Sequence, residues 1–236
     1  MNPAATALAV VIPALNEEAS IAVVVEGLGA CPAVGHVIVV DNASTDLTAE
    51  RAAAAGAEVV REPRRGYGAA LRAGIEHAVR RGASEIVLCE ADCTFDPTQV
   101  ADLRAALAQN ELVVGSRAAD LPLALRWGNR LVAWILAALW PTRSCTLTDV
   151  GCTFRAFRAQ AWLELRKGAT ADGPEFAPQM VCEAFRRGLV VTEIPVRYGP
   201  RVGGRSKHNA HLWGTVRTAA RMLRSIVRKR LESALP

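Results

Sequence analysis

Residues 8–18 read Leu8-Ala9-Val10-Val11-Ile12-Pro13-Ala14-Leu15-Asn16-Glu17-Glu18. An unbroken apolar run ending in a polar, proline-marked tip describes a short strand covered on both faces, not the alternating pattern of a half-exposed one. The signature recurs. Leu8–Ile12, His36–Val40, Glu58–Arg61, Ile86–Cys89 and Leu112–Gly115 are all short and rich in Val and Ile, and predict strands. Between them Glu17–Ala30, Leu47–Ala55, Tyr67–Arg81 and Thr98–Gln109 carry helical periodicity, and Asp96-Pro97 supplies a cap followed by Pro at the first helical position. Strand–helix alternation of this kind predicts an α/β fold, a doubly wound, mostly parallel sheet with helices on both faces. Ligands of such sheets sit at the carboxyl ends of the strands.

Downstream of Gly115 the pattern changes. Trp127–Trp140 predicts an apolar helix headed by Arg126 and Arg130, Asp149–Phe157 a compact polar-aromatic segment, Ala177–Arg187 a helix and Leu189–Tyr198 a strand. A basic loop, Gly199–Lys207, then leads into a last helix. With 236 residues, no repeat and no low-complexity linker, one domain over residues 1–208 is expected, its halves dividing at 116/117, followed by a basic amphipathic helix over 209–236.

Charge is unevenly spread. Residues 195–236 hold ten Arg and Lys against a single acid, Glu232, whereas the other 194 hold 18 basic and 22 acidic residues. The tail is therefore expected to meet something anionic. Within it Leu212, Val216, Ala220, Leu223, Val227 and Leu231 recur at helical spacing beside a stripe of Arg217, Arg221, Arg224 and Arg228. That pattern suits either a lipid headgroup boundary or a helix packed on the domain with solvated arginines. Nucleic acid is not expected, since the chain has neither an aromatic-rich ribonucleoprotein motif, a zinc-finger pattern nor a clear helix-turn-helix. The longest apolar stretch, Leu131–Pro141, is far short of the roughly 20 residues of a membrane-spanning helix. The start of the chain lacks the basic region of a signal peptide. The six cysteines, without a Cys-x-x-Cys pair, read as reduced packing residues.

Chemistry concentrates at the strand tips. The first four strands are followed by Pro13–Glu18, by Asp41-Asn42-Ala43-Ser44-Thr45-Asp46, by Arg61–Gly68 and by Glu90-Ala91-Asp92. Any one could be an ordinary cap or turn; four at one sheet edge build a crevice. In Glu90-Ala91-Asp92, two acids one residue apart at a strand end can reach a single hard cation, Mg2+ or Mn2+, shared with substrate phosphates. The alternative duty, capping the next helix, is already met by Asp96. Gly66-Tyr67-Gly68 is no dinucleotide fingerprint, because it follows the third strand and has Leu71 where a third Gly belongs.

The constellation resembles the family-2 nucleotide-sugar glycosyltransferases of the GT-A type over nearly the whole chain. Val10–Glu18 looks like the opening motif of that family, Val39–Asp46 like its second, and Glu90-Ala91-Asp92 like its metal-binding Asp-x-Asp. Gly115-Ser116-Arg117, Gly128-Asn129-Arg130, Asp149–Cys152 with Phe154-Arg155, and Glu193–Tyr198 with Arg201, Ser206 and Lys207 resemble the polyprenyl-phosphate (dolichol-phosphate) mannosyl and glucosyl transferases in particular. The resemblance implies a donor pocket of Pro13, Leu15, Glu17, Asp41, Ser44, Gly66 and Ala91, and a metal held by Asp92 with Glu90. It also implies that Arg117, Arg130, Arg201 and Lys207 face the acceptor phosphate or donor diphosphate. The implied partners are a GDP- or UDP-hexose, a polyprenyl phosphate and a membrane surface, with the enzyme cytoplasmic and peripheral on the inner face. Two positions depart from the pattern: Glu90 replaces Asp in the metal motif, and Gln179 stands where relatives carry Glu, with Glu175 nearby.

A phosphate acceptor, with a second pKa of about 6, is already ionised at neutral pH and needs no strong base. The reaction needs charge management instead, and in-line displacement inverts the anomeric carbon. Trp127, Trp134 and Trp140 are candidate membrane contacts or core residues. The rival readings keep the donor site, with a soluble acceptor or with no turnover at all.

Overall fold

A computed structural model describes residues 8–140, 147–202 and 212–234. Seven strands form one sheet: β1 (Leu8–Ala14), β2 (His36–Asp41), β3 (Glu58–Arg61), β4 (Glu85–Leu88), β5 (Leu112–Ser116), β6 (Arg155–Arg158) and β7 (Val191–Pro195), in the order β3-β2-β1-β4-β6-β5-β7. All pairings are parallel except those of β6, which runs antiparallel between β4 and β5. The expected doubly wound, mostly parallel sheet is present. Val11 pairs with Ile38 on one side and Leu88 on the other, so β1 is the strand from which the chain winds in both directions. The crevice of such a sheet opens beside that switch point.

The apolar runs fill the core as their composition dictates. Val10, Val11, Ile12, Val39, Val40, Ile86, Val87, Leu112 and Val113 are wholly buried, each worth about 1.5–3 kcal/mol of apolar burial. The helices are α1 (Ile21–Gly29), α2 (Thr48–Ala54), α3 (Tyr67–Arg80), α4 (Val100–Ala106), α5 (Leu123–Leu139), α6 (Ala159–Leu165), α7 (Phe176–Arg186) and α8 (Leu212–Ala234). α3 packs on β1 and β2 and leads through α7 to α6 and α8, while α1, α2 and α4 pack on one another's neighbours and on β2, β4 and β5.

Several boundaries differ from expectation. α1 starts at Ile21 rather than Glu17, because the amides of Glu17 and Glu18 donate to Thr48 Oγ1 (2.8 Å) and Asp46 Oδ2 (3.3 Å) across the crevice. The Asp96 cap forms as expected, its Oδ1 accepting from the Thr98 amide at 2.9 Å, but the turn it opens is a 3-10 turn, Pro97–Gln99, before α4. Strand β6 lies inside the segment read as polar-aromatic, and α6 was not expected. The arginine that hides β6 is one of the most deeply buried large side chains of the protein: Arg155 is 1% exposed and its guanidinium donates to the carbonyls of Val150, Cys152 and Ala177. Three backbone acceptors supply what burial of the charge would otherwise cost.

α8 packs through Ile226, which is fully buried, whereas Val227 and Leu231 of the expected apolar stripe face outward. Two polar ties fix it: Arg221 pairs with Glu175, and Gln179 Nε2 donates to Ser225 Oγ at 2.9 Å while its Oε1 accepts from the amides of Thr170 and Ala171. Gln179 thus ties the Thr170–Ala171 turn to α8 through both ends of its amide. Among the described helices none is long and apolar enough to cross a membrane.

Candidate active site

The tips of β1 and β2 are laced together. The Asn16 amide donates to Ser44 Oγ (3.0 Å), the Thr45 amide to Asn16 Oδ1 (2.8 Å) and the Ser44 amide to Asp41 Oδ1 (3.1 Å). Asn42 continues the lacing to the third tip: its Nδ2 donates to the carbonyls of Glu62 and Arg64, and its Oδ1 accepts from the Gly66 amide at 2.7 Å. Asp41 and Asn42 are buried. Pro13 is buried in β1, and Leu15 and Glu17 are partly exposed beside it.

Among the described residues three non-glycines hold positive φ, and each lies on a loop that follows a strand at this edge: Asn16 (53°), Ala43 (62°) and Cys93 (63°). Left-handed backbone is costly for Ala and Cys, by roughly 1–3 kcal/mol, and such strain collects where function needs the geometry. The clustering makes this edge the candidate working face, independently of any motif.

The fourth tip carries the two acids, and the structure gives them different surroundings. Asp92 lies at the rim. Its Oδ1 accepts from Thr94 Oγ1 (2.6 Å) and the Thr94 amide (3.1 Å), and its Oδ2 accepts from Arg201 Nη1 at 3.0 Å. Arg201 Nη2 pairs at the same time with Glu17, on the opposite wall. Glu90 sits at the root of the loop, where Tyr67 donates its hydroxyl to Oε1 at 3.1 Å. Burial, and next the Asp92 charge, push the Glu90 carboxyl up to about 7. Ala91 between them is buried, its carbonyl accepting from Ser20 Oγ at 2.7 Å. No group of three or more His, Cys, Asp or Glu is placed to hold a metal among the described residues.

The glycines of the third tip serve packing. Gly66 has φ 154°, and a Cβ there would lie 2.4 Å from the Asp172 carbonyl; one at Gly68 would lie 2.1 Å from that of Ala171. The Gly68 amide donates to the Asp172 carbonyl (2.7 Å), so the first turn of α3 is capped by protein. Gly66 borders the crevice, but its amide is committed to Asn42.

Basic residues come from the second half. Arg117 follows β5 and grips Asp149 with two bonds, Nε to Oδ2 at 2.7 Å and Nη2 to Oδ1 at 2.9 Å, while lying over the Tyr198 ring at 5.3 Å. Asp149 is fully buried and also accepts from Asn129 Nδ2 at 2.8 Å. Glu193 secures the same loop, accepting from the amides of Thr148 and Asp149 at 2.9 Å. Arg117 is thereby oriented as much as it is offered. Arg130 is exposed on α5, next to Asn129, and Lys207 lies outside the described residues.

The three tryptophans separate. Trp127 and Trp134 are 64% and 68% exposed, whereas Trp140 is 6% exposed, a core residue rather than a surface contact. Leu123 and Leu131 share the exposed face of Trp127 and Trp134.

Thr94 was not foreseen as part of the site, and Asn42, Tyr67 and Asn129, although within the quoted stretches, were given no role of their own. For Thr94 a signal exists. Asp-x-Thr occurs at Asp46–Thr48, Asp92–Thr94 and Asp96–Thr98, and each time the Thr hydroxyl and amide both bond the Asp.

The fold and its rim define a transferase-type α/β domain, and a family model agrees. Residues 9–164 match Glycosyl transferase family 2, and the chain belongs to that family. It is 36% identical over 214 residues to an uncharacterized glycosyltransferase of Mycobacterium tuberculosis, covering 90% of this chain and 94% of the relative. It is 31% identical over 213 residues to the polyprenol monophosphomannose synthase of Mycolicibacterium smegmatis, covering 84% and 79%. Among solved structures, the glucosyl-3-phosphoglycerate synthase of M. tuberculosis, in complex with Mn2+, UDP-glucose and phosphoglyceric acid, superposes with a TM-score of 0.73 at 24% identity, covering 95% of this chain and 80% of that one.

Proposed function

We propose that this glycosyltransferase moves a hexose from a GDP- or UDP-sugar to a polyprenyl phosphate at a membrane surface, with inversion of the anomeric carbon. The observation that carries the lipid acceptor is the exposed face of α5. Leu123, Trp127, Leu131 and Trp134 form one outward stripe, with Arg130 exposed beside it, on the helix that follows Arg117. Tryptophans beside cationic side chains suit the headgroup level of a bilayer, and each nearby Lys or Arg adds about 1 kcal/mol at an anionic surface. The likeness to a polyprenol monophosphomannose synthase supports the same reading.

On the donor side, Pro13, Leu15, Glu17, Asp41 and Ser44 form the nucleoside wall, with Ala91 beneath and Gly66 at its margin. A divalent ion fits the donor set. Asp92 presents a rim oxygen that already faces a cation, and Mg2+ or Mn2+ binds through one or two carboxylates plus substrate phosphates rather than in an all-protein cage. Asp92, with Glu90 behind it, would hold that ion, whose chemistry is to offset charge on the departing diphosphate. Arg117, held by Asp149, orients the acceptor phosphate; Arg130 and Arg201 complete the basic side, and Lys207, outside the described residues, is assigned to it by the sequence resemblance alone. The acceptor arrives ionised, so the chain supplies orientation and counter-charge rather than a base.

A second reading, transfer to a soluble phosphorylated acceptor, draws on the synthase that binds phosphoglyceric acid. One assay separates them. Purified protein with Mn2+ is offered GDP- and UDP-hexoses against a short-chain polyprenyl phosphate in anionic vesicles and, separately, phosphoglycerate. The lipid reading expects a glycosyl phospholipid with inverted configuration by NMR; turnover of phosphoglycerate alone, or retention of configuration, overturns it.

A further inference from the structure

We infer that Arg201 is a built-in stand-in for the metal: its guanidinium closes the empty donor site and leaves only when a divalent ion and a diphosphate arrive together. The inference rests on the donor reading above and concerns the order in which that site fills.

The geometry begins with two acids on opposite walls. Glu17 comes from the tip of β1 and Asp92 from the tip of β4, so they face each other across the switch point. Their side chains are only 11% and 13% exposed. Two largely buried carboxylates that share one neighbour are best served by a cation between them. Arg201 supplies it, one nitrogen to each acid, and is itself 22% exposed. It thereby occupies the Asp92 oxygen that a metal would use, since the other oxygen is taken by Thr94.

The segment bearing Arg201 lies along the metal loop. Tyr198 bridges to Phe95, their rings 5.4 Å apart, the Gly199 amide donates to the Thr94 carbonyl at 2.8 Å, and the Val202 amide to the Asp92 carbonyl at 3.0 Å. Arg197 adds an ion pair to Asp96 at 2.8 Å. A pocket of about 290 Å3 lined by Val23, Val24, Phe95, Pro97 and Arg197 among others borders the strap. Backbone bonds at Gly199 and Val202 thus hold the strap on both sides of Arg201.

Charge decides the exchange. A divalent ion entering alone must take the Asp92 oxygen from Arg201, and the guanidinium loses that ionic partner with nothing in exchange. Arriving with a diphosphate, it brings the anion that Arg201 then holds, and each charge keeps a partner. Metal and nucleotide binding are therefore coupled through one side chain, and the coupling is reciprocal.

The test measures metal binding, not turnover. Free Mn2+ is followed by electron paramagnetic resonance in titrations of the full chain, alone and with UDP or GDP, for wild type, Arg201→Ala and Arg201→Lys, with circular dichroism confirming the fold. Arg201→Ala should bind Mn2+ alone at least about tenfold more tightly than wild type, and the enhancement by nucleotide should shrink by a similar factor. Arg201→Lys, keeping the charge but not the two-pronged reach, should fall between. Mn2+ affinity without nucleotide that is equal or weaker in a folded Arg201→Ala overturns the exchange, even where nucleotide still promotes Mn2+ binding. Absence of any nucleotide effect in all three proteins sinks the donor reading, and the coupling with it.

Discussion

The halves of this sheet are built on opposite principles. In the first, three strand tips are tied by hydrogen bonds between polar side chains and backbone, with Asn16, Asn42, Asp41 and Ser44 as the knots. The buried acids there belong to this edge: Asp41 accepts from the Ser44 amide, and Glu62 pairs with the exposed Arg64. In the second, buried charge does the work: Arg155 among carbonyls, Asp149 against Arg117, and Glu183, 2% exposed, against Arg186 and Arg187. On the proposed function, the contrast matches what each half would hold. A nucleotide asks for a rigid, neutral cradle with charge at one rim. An acceptor phosphate asks for cations, and a cation kept in one orientation needs a buried acid behind it.

That contrast makes sharp, separable predictions. The largest effect belongs to Asp92→Ala. It should reduce transfer by about 10³-fold or more, the range expected when charge stabilisation at a leaving group is lost, while the circular dichroism spectrum and melting temperature stay near wild type. A variant that keeps a tenth of wild-type activity would show that the rim acid is not the metal's main ligand. Asp149→Ala works the other way. Removing the acid leaves the largely buried Arg117 guanidinium without its partner, so the protein should lose about 3–5 kcal/mol of stability in urea. Loss of transfer with unchanged stability would instead assign Asp149 to substrate.

How much of this was legible in the sequence divides along the same line. The first half was readable because buried parallel strands are continuous apolar runs, and because Glu90-Ala91-Asp92 ends one of them. In the second half the informative residues are polar but buried, and pattern reading places polar residues outside. Arg155 helped to make Asp149–Phe157 read as a polar-aromatic segment rather than a strand, although Ala156 pairs with both Val87 and Val113 inside the sheet. The α5 run illustrates another limit. Trp127, Trp134 and Trp140 all sit in apolar sequence, and only the neighbours packed on α5 decide that Trp140, with Ala133 and Leu136, faces inward. The same applies to α8, where Ile226 rather than Val227 turned out to be the packed residue. The family resemblance implied that Arg201 faces a phosphate; that it spans Glu17 and Asp92 depends on a contact between residues 184 positions apart.

A smaller effect tests the outer surface of the second half. Trp127→Ala with Trp134→Ala removes two exposed rings and no core contact, so melting should be unchanged. Co-sedimentation with anionic vesicles at low salt should fall about tenfold or more, given roughly 25 cal/mol per Å2 of apolar surface inserted. Vesicle binding as strong as wild type would remove α5 as the docking face. Co-sedimentation that is absent already in wild type would favour the soluble acceptor.

The smallest effect lies in the first half and reads the carboxyl that titrates closest to neutral pH at its edge. Burial and the Asp92 charge raise the Glu90 carboxyl from its ordinary 4.5 to about 7. Below pH 4.5 the folded and unfolded chains both hold the proton, and Glu90 adds no pH dependence. Between 4.5 and 7 the unfolded chain releases it while the folded one keeps it, so wild-type stability falls with rising pH across that window and levels off above it. Glu90→Gln keeps an acceptor for Tyr67 but cannot ionise. In metal-free buffer its melting temperature, relative to wild type, should therefore rise between pH 5 and pH 8. About 1 kcal/mol corresponds to roughly 2–4 °C in a chain of this size. A difference that stays flat over those three pH units would mean that Glu90 is ionised throughout. The two acids would then act as an equal pair at the rim, and the division of labour between a charged Asp92 and a proton-holding Glu90 would be wrong.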